Sequence, residues 1–92
     1  MKEKNIENQI KTYLKQKGAY VVKYFGTTYT QAGTPDLLIC YKGKFIALEV
    51  KNETNKTSSL QDIHLQQIKK AGGISAVVRS LEEVKLIIDT II

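Results

Sequence analysis

Apolar residues recur at helical spacing at the start of the chain. Residues 3–17 predict a first helix, and Gly18 provides its C-terminal stop. The apolar stripe of this helix consists of Ile6, Ile10, Tyr13 and Leu14. Glu7 falls at the rim of the stripe, where its carboxylate can lean over a neighbouring site or form an i,i+4 pair with Lys11.

Two later segments repeat the helical spacing. A second helix is predicted from about Ser59 to the Gly72-Gly73 pair, with a capping box from Ser58 and Gln61 or from Ser59 and Asp62. Its expected inward stripe is Leu60, Ile63, Ile68 and Ala71, with His64 among them. We interpret His64 as a packed core residue because a lone histidine on an apolar stripe seldom binds a metal.

The third helix is predicted to begin at Ser80, which with Glu83 forms a capping box. Its wide apolar stripe is Leu81, Val84, Ile87, Ile88 and Ile91. Together with Ile92, this stripe exceeds what a small core needs to cover, which weakly indicates a homodimer.

The segments between the helices have the composition of β-strands. Strands are predicted at residues 19–24, 36–41, 44–49 and 74–78. Residues 25–33 form a loop in which Phe25 or Tyr29 could stack on a substrate, or in which Phe25 could instead anchor an ordinary connection in the core. Cys40 lies within a strand and is expected to be a small buried hydrophobic residue.

A two-residue turn at Lys42-Gly43 sets the register of the two central strands. Pairing about this turn places Asp36 directly opposite Glu49 on one face of the hairpin. Their Cβ atoms would then be roughly 5 Å apart, where two like charges repel unless a cation lies between them. Because strand side chains alternate, Lys51 falls on the same face as Glu49.

This combination matches the needs of metal-dependent phosphodiester cleavage. Asp36 and Glu49 can hold a divalent ion, and the Lys51 ammonium can reach a water on that ion. The triplet alone carries little weight, since Glu83-Val84-Lys85 has the same form within the third predicted helix. The other interpretation is a hairpin end with an ordinary solvated ion pair. The apolar setting of Glu49 argues against it, because an ionised group there is costly without a partner.

Composition limits the number of domains, the class of partner and the expected location, but it does not identify the activity. A chain of 92 residues has room for one domain, and its net charge of +5 favours polyanionic partners such as nucleic acid. One cysteine excludes a disulfide framework. There is no signal-peptide pattern or apolar stretch of membrane-spanning length, so we expect a cytoplasmic protein that does not bind membranes.

The motif residues resemble those of the PD-(D/E)xK nuclease superfamily, and within it the small stand-alone VRR nuclease domains of phages and of repair proteins. The resemblance spans nearly the whole of residues 1–92, as one nuclease domain. It rests on these segments: Glu7, Gly33-Thr34-Pro35-Asp36-Leu37-Leu38, Ala47-Leu48-Glu49-Val50-Lys51, Ser59-Leu60-Gln61, Gly72-Gly73 and Val78-Arg79. One departure is Ser80, which stands where the VRR motif has a second arginine.

The resemblance implies a restriction-endonuclease-like α/β fold of order αβββαβα, with a central mixed sheet of four strands flanked by helices. It also implies that Asp36, Glu49 and the main-chain carbonyl of Val50 hold Mg²⁺ or Mn²⁺, that Glu7 completes the site through water, and that Lys51 positions or activates the attacking water. Gln61, Tyr29 and Arg79 are candidate supporting or substrate-binding residues, although Arg79 can equally pair within the protein.

The implied activity is that of a Mg²⁺-dependent endonuclease on branched DNA, such as junctions or flaps, in replication, recombination or repair. Related resolvases act as homodimers, and the host cytoplasm of a phage or bacterium is the expected location. Two alternatives stay open. The chain could be a catalytically silent nucleic-acid-binding or assembly module, or a nuclease acting on RNA or duplex DNA.

Overall fold

A computed structural model describes residues 1–27 and 32–92 of the chain. The elements follow the predicted order αβββαβα. They are α1 (Glu3–Gln16), β1 (Tyr20–Lys23), β2 (Leu37–Tyr41), β3 (Lys44–Val50), α2 (Ser59–Lys70), β4 (Ile74–Val78) and α3 (Leu81–Asp89). The predicted boundaries of α1, α2 and the four strands are therefore correct to within one residue. Helix α3 begins directly after its predicted cap Ser80 but ends at Asp89, before Ile91 of the predicted stripe.

The strands form one mixed sheet in the order β1-β2-β3-β4. The pairs β1·β2 and β2·β3 are antiparallel, whereas β3 and β4 run parallel and are joined by α2. Residues 46–50 of β3 are all buried, and both α1 and α2 pack against this strand. Phe45, which the sequence places in the same apolar run, is 47% exposed, so the burial does not extend over the whole strand.

The tight turn between β2 and β3 fixes their pairing. Lys42 and Gly43 both have positive φ, at 50° and 78°, as a type I′ hairpin turn requires. The register runs from Tyr41↔Lys44 to Leu37↔Leu48. Continuing this register by one residue sets Asp36 opposite Glu49, as the sequence predicts.

The main core lies between the sheet and the pair α1 and α3. The α1 residues Ile6, Ile10 and Leu14 are almost fully buried, so the predicted stripe of this helix is confirmed. On α3, Val84 and Ile88 are buried, and Leu81, Ile87 and Ile91 pack partly against the core. The α3 stripe therefore serves this core, and only Leu86 and the terminal Ile92 expose large apolar side chains there.

The predicted inward face of α2 is wrong in part. Leu60 and Ile63 are about half exposed, and the buried residue is Leu65. The helix is rotated relative to the predicted stripe because its inward side carries polar contacts with the sheet. One of these is the Ser75 hydroxyl, which donates a 2.6 Å hydrogen bond to the Leu65 carbonyl.

Cys40 is exposed, which corrects the expectation of a buried residue. It pairs with Tyr20 on one side and with Phe45 on the other, and both neighbours are exposed as well. The packing of α2 is against β3 and β4, so among the residues that the structure describes no helix covers this face of β1 and β2, whose other face packs against α1. Strand alternation placed Cys40 on the open face and Ile39 on the covered one.

Within residues 1–27 and 32–92, no helix is long and apolar enough to span a membrane.

Candidate functional site

Asp36 is held at the mouth of the β2–β3 hairpin by two backbone amides. Its carbonyl accepts a 2.8 Å hydrogen bond from the Tyr24 amide, which continues the β1–β2 pairing. Its carboxylate Oδ2 accepts a 2.8 Å hydrogen bond from the Val50 amide on β3. The second bond fastens the side chain of the first acid to the strand that carries the second.

Glu49 lies beside Asp36 and is almost completely buried, with 3% of its surface exposed. Its Oε2 accepts a 3.0 Å hydrogen bond from Gln61 Nε2 on α2. The Lys51 ammonium, two residues along the strand, is 3.5 Å from the same oxygen. The sequence prediction that Asp36, Glu49 and Lys51 share one location is confirmed.

The surroundings raise the pKa of Glu49 to about 7. Burial is the main cause, and the negative charge and hydrogen bond of Asp36 act in the same direction. Lys51 opposes them by favouring the ionised form, but does not cancel them. Two acids with an unfavourable shared charge are a place where a cation is stabilising.

Gln61 performs two tasks at once. Its Oε1 accepts a 2.9 Å hydrogen bond from the Ser58 amide, while the Ser58 hydroxyl accepts one from the Gln61 amide. This reciprocal pair is the first of the two predicted capping boxes. The amide nitrogen of the same side chain remains directed at Glu49. The capping role and the contact with the site, which the sequence offered as alternatives, are therefore combined.

The start of α2 is also held close to the segment that enters β2. A Cβ atom added at Gly33 would lie 2.7 Å from the Leu60 carbonyl carbon, which is closer than real side chains approach. Gly33 also has a φ of +88°, in the region that glycine adopts without strain. The glycine thus allows the chain before Asp36 and the helix that carries Gln61 to pack together.

On the α1 side of Asp36 lies an ion-pair cluster centred on Lys23. The Lys23 ammonium is 2.8 Å from Glu7 Oε1 and 3.5 Å from Asp36 Oδ1. Lys11 pairs with the other Glu7 oxygen at 3.5 Å. The predicted i,i+4 pair of Glu7 with Lys11 is therefore confirmed, and Glu7 also contacts Lys23 beside Asp36. Lys23 is thus a further charged side chain near Asp36, one that the sequence did not identify.

Sequence reasoning did not identify Lys23. The available signal was a lysine at the end of the β-rich run Tyr20–Lys23, one strand away from Asp36. Burial lowers the pKa of Lys23, but hydrogen bonding to Glu7 and the charges of Asp36 and Glu7 outweigh it, so the pKa is raised overall. The ammonium is also 5.8 Å from the Phe25 ring centroid. Phe25 itself is 76% exposed, so it does not anchor the loop in the core.

A cleft of about 460 Å³ opens beside these residues. Acidic, basic and aromatic side chains line it together, with Val50 at its base. The charged and aromatic residues are Glu3, Glu7, Asp36, Lys4, Lys11, Lys23 and Phe25. The arrangement provides carboxylates for a cation and, around them, ammonium groups for a phosphate backbone.

The polar segment after Lys51 is fixed to the rest of the protein by Arg79. The guanidinium Nη1 donates to the carbonyls of Asn52 and Asn55. The Asn52 side chain also accepts hydrogen bonds from the amides of Thr54 and Asn55, at 3.0 and 2.8 Å. Internal pairing, one of the two roles considered for Arg79, is therefore confirmed. Ser80 next to it caps α3 by accepting from the Glu83 amide at 3.3 Å.

The donor atoms near Asp36 fit a hard divalent cation. Two carboxylates meet where their charges repel, and Mg²⁺ and Mn²⁺ prefer oxygen ligands of this kind. Within residues 1–27 and 32–92, no three His, Cys, Asp or Glu side chains form a ready group of metal ligands. Asp36 and Glu49 would therefore need backbone or water oxygens to complete the coordination.

Tyr29, the candidate for contact with substrate, lies outside the described residues.

The family model of the archaeal Holliday junction resolvases (Hjc) matches residues 1–80. No curated protein sequence matches the chain.

Solved structures resemble the chain over nearly its full length. A structure described as a VRR_NUC domain superposes with a TM-score of 0.80 at 27% identity, covering 95% of this chain and 94% of that one. A second VRR_NUC domain protein gives 0.75 at 16% identity, with coverages of 97% and 86%. The Hjc Holliday junction resolvase of Archaeoglobus fulgidus gives 0.65 at 17% identity, with coverages of 84% and 67%. These similarities confirm the restriction-endonuclease-like α/β fold.

Proposed function

Because this chain belongs to the archaeal Holliday junction resolvase family, we propose that residues 1–92 act as one endonuclease domain that hydrolyses phosphodiester bonds in branched DNA. Four-way junctions and flaps formed during replication, recombination or repair are the proposed substrates. The observation that carries the proposal is the meeting of Asp36, Glu49 and Lys51 at the hairpin mouth, with Gln61 on the same Glu49 oxygen.

The proposed cofactor is Mg²⁺ or Mn²⁺. Asp36, Glu49 and the Val50 carbonyl would hold it, with Glu7 contributing through water. When bound, the ion supplies a Lewis acid for a phosphoryl oxygen and lowers the pKa of a water molecule. The raised pKa of Glu49 supports this assignment, because burial and the charge of Asp36 both disfavour the ionised carboxylate and a cation between the two acids would offset both.

Lys51 is the proposed catalytic amine. Its side chain is only 14% exposed, and its ammonium lies beside Glu49, on the face that holds the acids. From there it can hold a water for attack and place a positive charge near the phosphorane-like transition state. Gln61 helps to fix the orientation of the Glu49 carboxylate through its hydrogen bond to Oε2.

The ammonium groups around the cleft are proposed to contact the DNA backbone. Lys4 and Lys11 line the cleft beside the acids, and Phe25 presents an exposed ring at the same place. Tyr29 stays a candidate for base stacking. Arg79 supports the site indirectly, because it fixes the segment that follows Lys51.

We propose a homodimer as the active form, since paired cuts on a four-way junction require two active sites. The surface that fits this role differs from the one that the sequence suggested on the third helix. It consists of the exposed row Tyr20, Cys40 and Phe45 on three neighbouring strands of the sheet. Light scattering of the wild-type protein and of Phe45→Glu would test it, and a wild-type monomer at assay concentrations would contradict it.

The nuclease proposal is tested with purified protein and Mg²⁺ on labelled substrates of matched sequence: a four-way junction, a flap, a linear duplex, single-stranded DNA and single-stranded RNA. We expect cleavage of the branched substrates. Asp36→Ala and Lys51→Ala should each abolish it, with circular dichroism spectra that stay native.

The matched control is Lys85→Ala. Lys85 belongs to the second Glu-x-Lys triplet, which lies on α3 away from the hairpin, so this variant should cleave like the wild type. Full activity of Asp36→Ala and Lys51→Ala would contradict the mechanism. DNA binding by the wild type without any cleavage would favour a silent binding module, and preferential cleavage of RNA would change the substrate class.

A further inference from the structure

Lys23 occupies the position of a cation between two acids. Its ammonium bridges Glu7 Oε1 at 2.8 Å and Asp36 Oδ1 at 3.5 Å, and its side chain is 24% exposed. Glu7 comes from α1 and Asp36 from the entry to β2, so the bridge joins elements that are far apart in sequence. It neutralises two carboxylates that would otherwise repel each other.

The backbone determines that Lys23 reaches this point. Lys23 pairs with Leu37 in the β1–β2 ladder, and the next amide, that of Tyr24, donates to the Asp36 carbonyl. The lysine is therefore one residue from the strand position opposite Asp36. Because β1 packs against α1, the side chain of Lys23 also meets Glu7.

Asp36 has a limited number of free lone pairs for a metal. Its Oδ2 accepts the Val50 amide, and its Oδ1 faces Lys23. An inner ligand needs one of these oxygens, and the amide bond to Oδ2 belongs to the hairpin itself. The contact that can be given up at least cost is the 3.5 Å approach of Lys23, because a lysine ammonium on a flexible stem can turn toward solvent.

We propose that Lys23 is an internal counter-cation that holds Glu7 and Asp36 in the metal-free protein and is displaced when a divalent ion binds. This inference rests on the proposed function of the same site. Divalent binding is then a competition with the chain's own ammonium group, which weakens the apparent affinity. Lys4, Lys11 and Lys23 all line the same cleft, so displacement would free the Lys23 charge from Glu7 and Asp36 and leave it available for the DNA backbone.

An ordinary structural ion pair would behave differently. In that case, the Lys23 ammonium would stay on Glu7 and Asp36 when a divalent ion binds, and its removal would raise the affinity for metal only as the loss of any nearby positive charge does. Under competition, the ammonium leaves these acids when the ion binds, and its removal raises the affinity more than the removal of a neighbouring lysine does. The two cases are therefore separated by comparison with a neighbouring lysine and by the accessibility of Lys23 in the presence of metal.

The first test measures Mn²⁺ binding by isothermal titration calorimetry without DNA. Lys23→Gln should bind Mn²⁺ on the order of tenfold more tightly than the wild type, because one competing charge is lost. The matched control is Lys11→Gln, which removes an ammonium that pairs with Glu7 at 3.5 Å but not with Asp36. Its dissociation constant should change by less than about threefold, as expected for a more exposed charge.

The second test uses the wild-type chain and does not depend on how a variant folds. Acylation of individual lysines by an amine-reactive reagent is measured by mass spectrometry with and without Mn²⁺. The reactivity of Lys23 should rise several-fold with Mn²⁺, since the displaced ammonium becomes accessible. Lys69 on the exposed side of α2 provides the internal reference and should not change.

The outcomes separate this inference from the function on which it rests. If the wild type binds Mn²⁺ and Asp36→Asn does not, but Lys23→Gln has the wild-type affinity, the competition is refuted and the metal site stands. Unchanged acylation of Lys23 on addition of Mn²⁺ also refutes the displacement. If the wild type binds no divalent ion, the metal dependence of the proposed function and this inference both fail.

Discussion

The backbone amide of Val50 donates a 2.8 Å hydrogen bond to the carboxylate of Asp36. Asp36 precedes β2 and Val50 ends β3, so this bond closes the mouth of the hairpin between them. The same carboxylate is the proposed metal ligand. Its structural and chemical roles can be separated by the choice of substitution.

Asp36→Ala should destabilise the metal-free protein by about 1–3 kcal/mol, because the Val50 amide loses its acceptor in a partly buried place. Asp36→Asn keeps an oxygen acceptor, so its free energy of unfolding without metal should fall much less. It should nevertheless lose the stabilisation that Mn²⁺ gives the wild type. Urea denaturation with and without Mn²⁺ measures both quantities. Equal destabilisation by the two variants would mean that the hydrogen bond contributes little.

Glu49 makes the stability of the metal-free protein depend on pH. Its pKa in the folded protein is about 7, above its ordinary value of 4.5, so between these two pH values the folded state holds a proton that the unfolded state has released. The contribution of this group is therefore fully present below pH 4.5 and is lost as the pH rises toward 7 and above. The lost stability is on the order of 3 kcal/mol at most.

Glu49→Gln provides the control for this pH effect. The free energy of unfolding, measured in urea at several pH values, should fall more steeply between pH 4.5 and 7 for the wild type than for this variant. Identical slopes would show that Glu49 titrates near its usual pKa in the folded protein.

Gln61 and Ser58 allow the helix cap to be separated from the contact with Glu49. Ser58→Ala removes the hydroxyl that accepts from the Gln61 amide and should cost about 1 kcal/mol while cleavage is kept. Gln61→Ala removes both the cap and the donor to Glu49, so we expect a similar loss of stability together with a fall in cleavage rate of about tenfold or more. Equal cleavage rates for the two variants would contradict a role of Gln61 in orienting Glu49.

Arg79 should control the order of the segment after Lys51. Arg79→Met removes the donors to the Asn52 and Asn55 carbonyls while keeping much of the side-chain volume. Hydrogen exchange at the amides of residues 54 and 55 should become faster, and exchange in α1 should be unchanged. Unaltered exchange at both places would show that the turn formed by Asn52 is sufficient to fix the segment.

The hairpin register was predictable because a two-residue turn leaves only one pairing of its strands. Once Lys42 and Gly43 are identified as the turn, the positions of Asp36, Glu49 and Lys51 follow from strand geometry alone. The role of Gln61 could be predicted only in part from the sequence. Its capping of α2 was predictable, but the direction of its side-chain amide nitrogen was not.

The position of Lys23 beside Asp36 and Glu7 could not be predicted in the same way. The connection between β1 and β2 spans residues 24–36, and no turn rule fixes the pairing of strands joined by so long a segment. The exposure of Cys40, Leu60 and Ile63 was missed for a related reason. Apolar spacing shows which residues share a face, but it does not show which part of a face a neighbouring helix covers.

The hairpin has a consequence for how the gene can vary. Because Asp36 and Glu49 lie opposite each other through the pairing of β2 and β3, a codon gained or lost within either strand would shift the register and turn one acid to the opposite side of the sheet. Length changes in the segment between β3 and α2 would leave the two acids paired. Natural variants with altered length are therefore expected to carry their insertions outside these two strands, and an engineered extra codon within β2 or β3 should abolish cleavage.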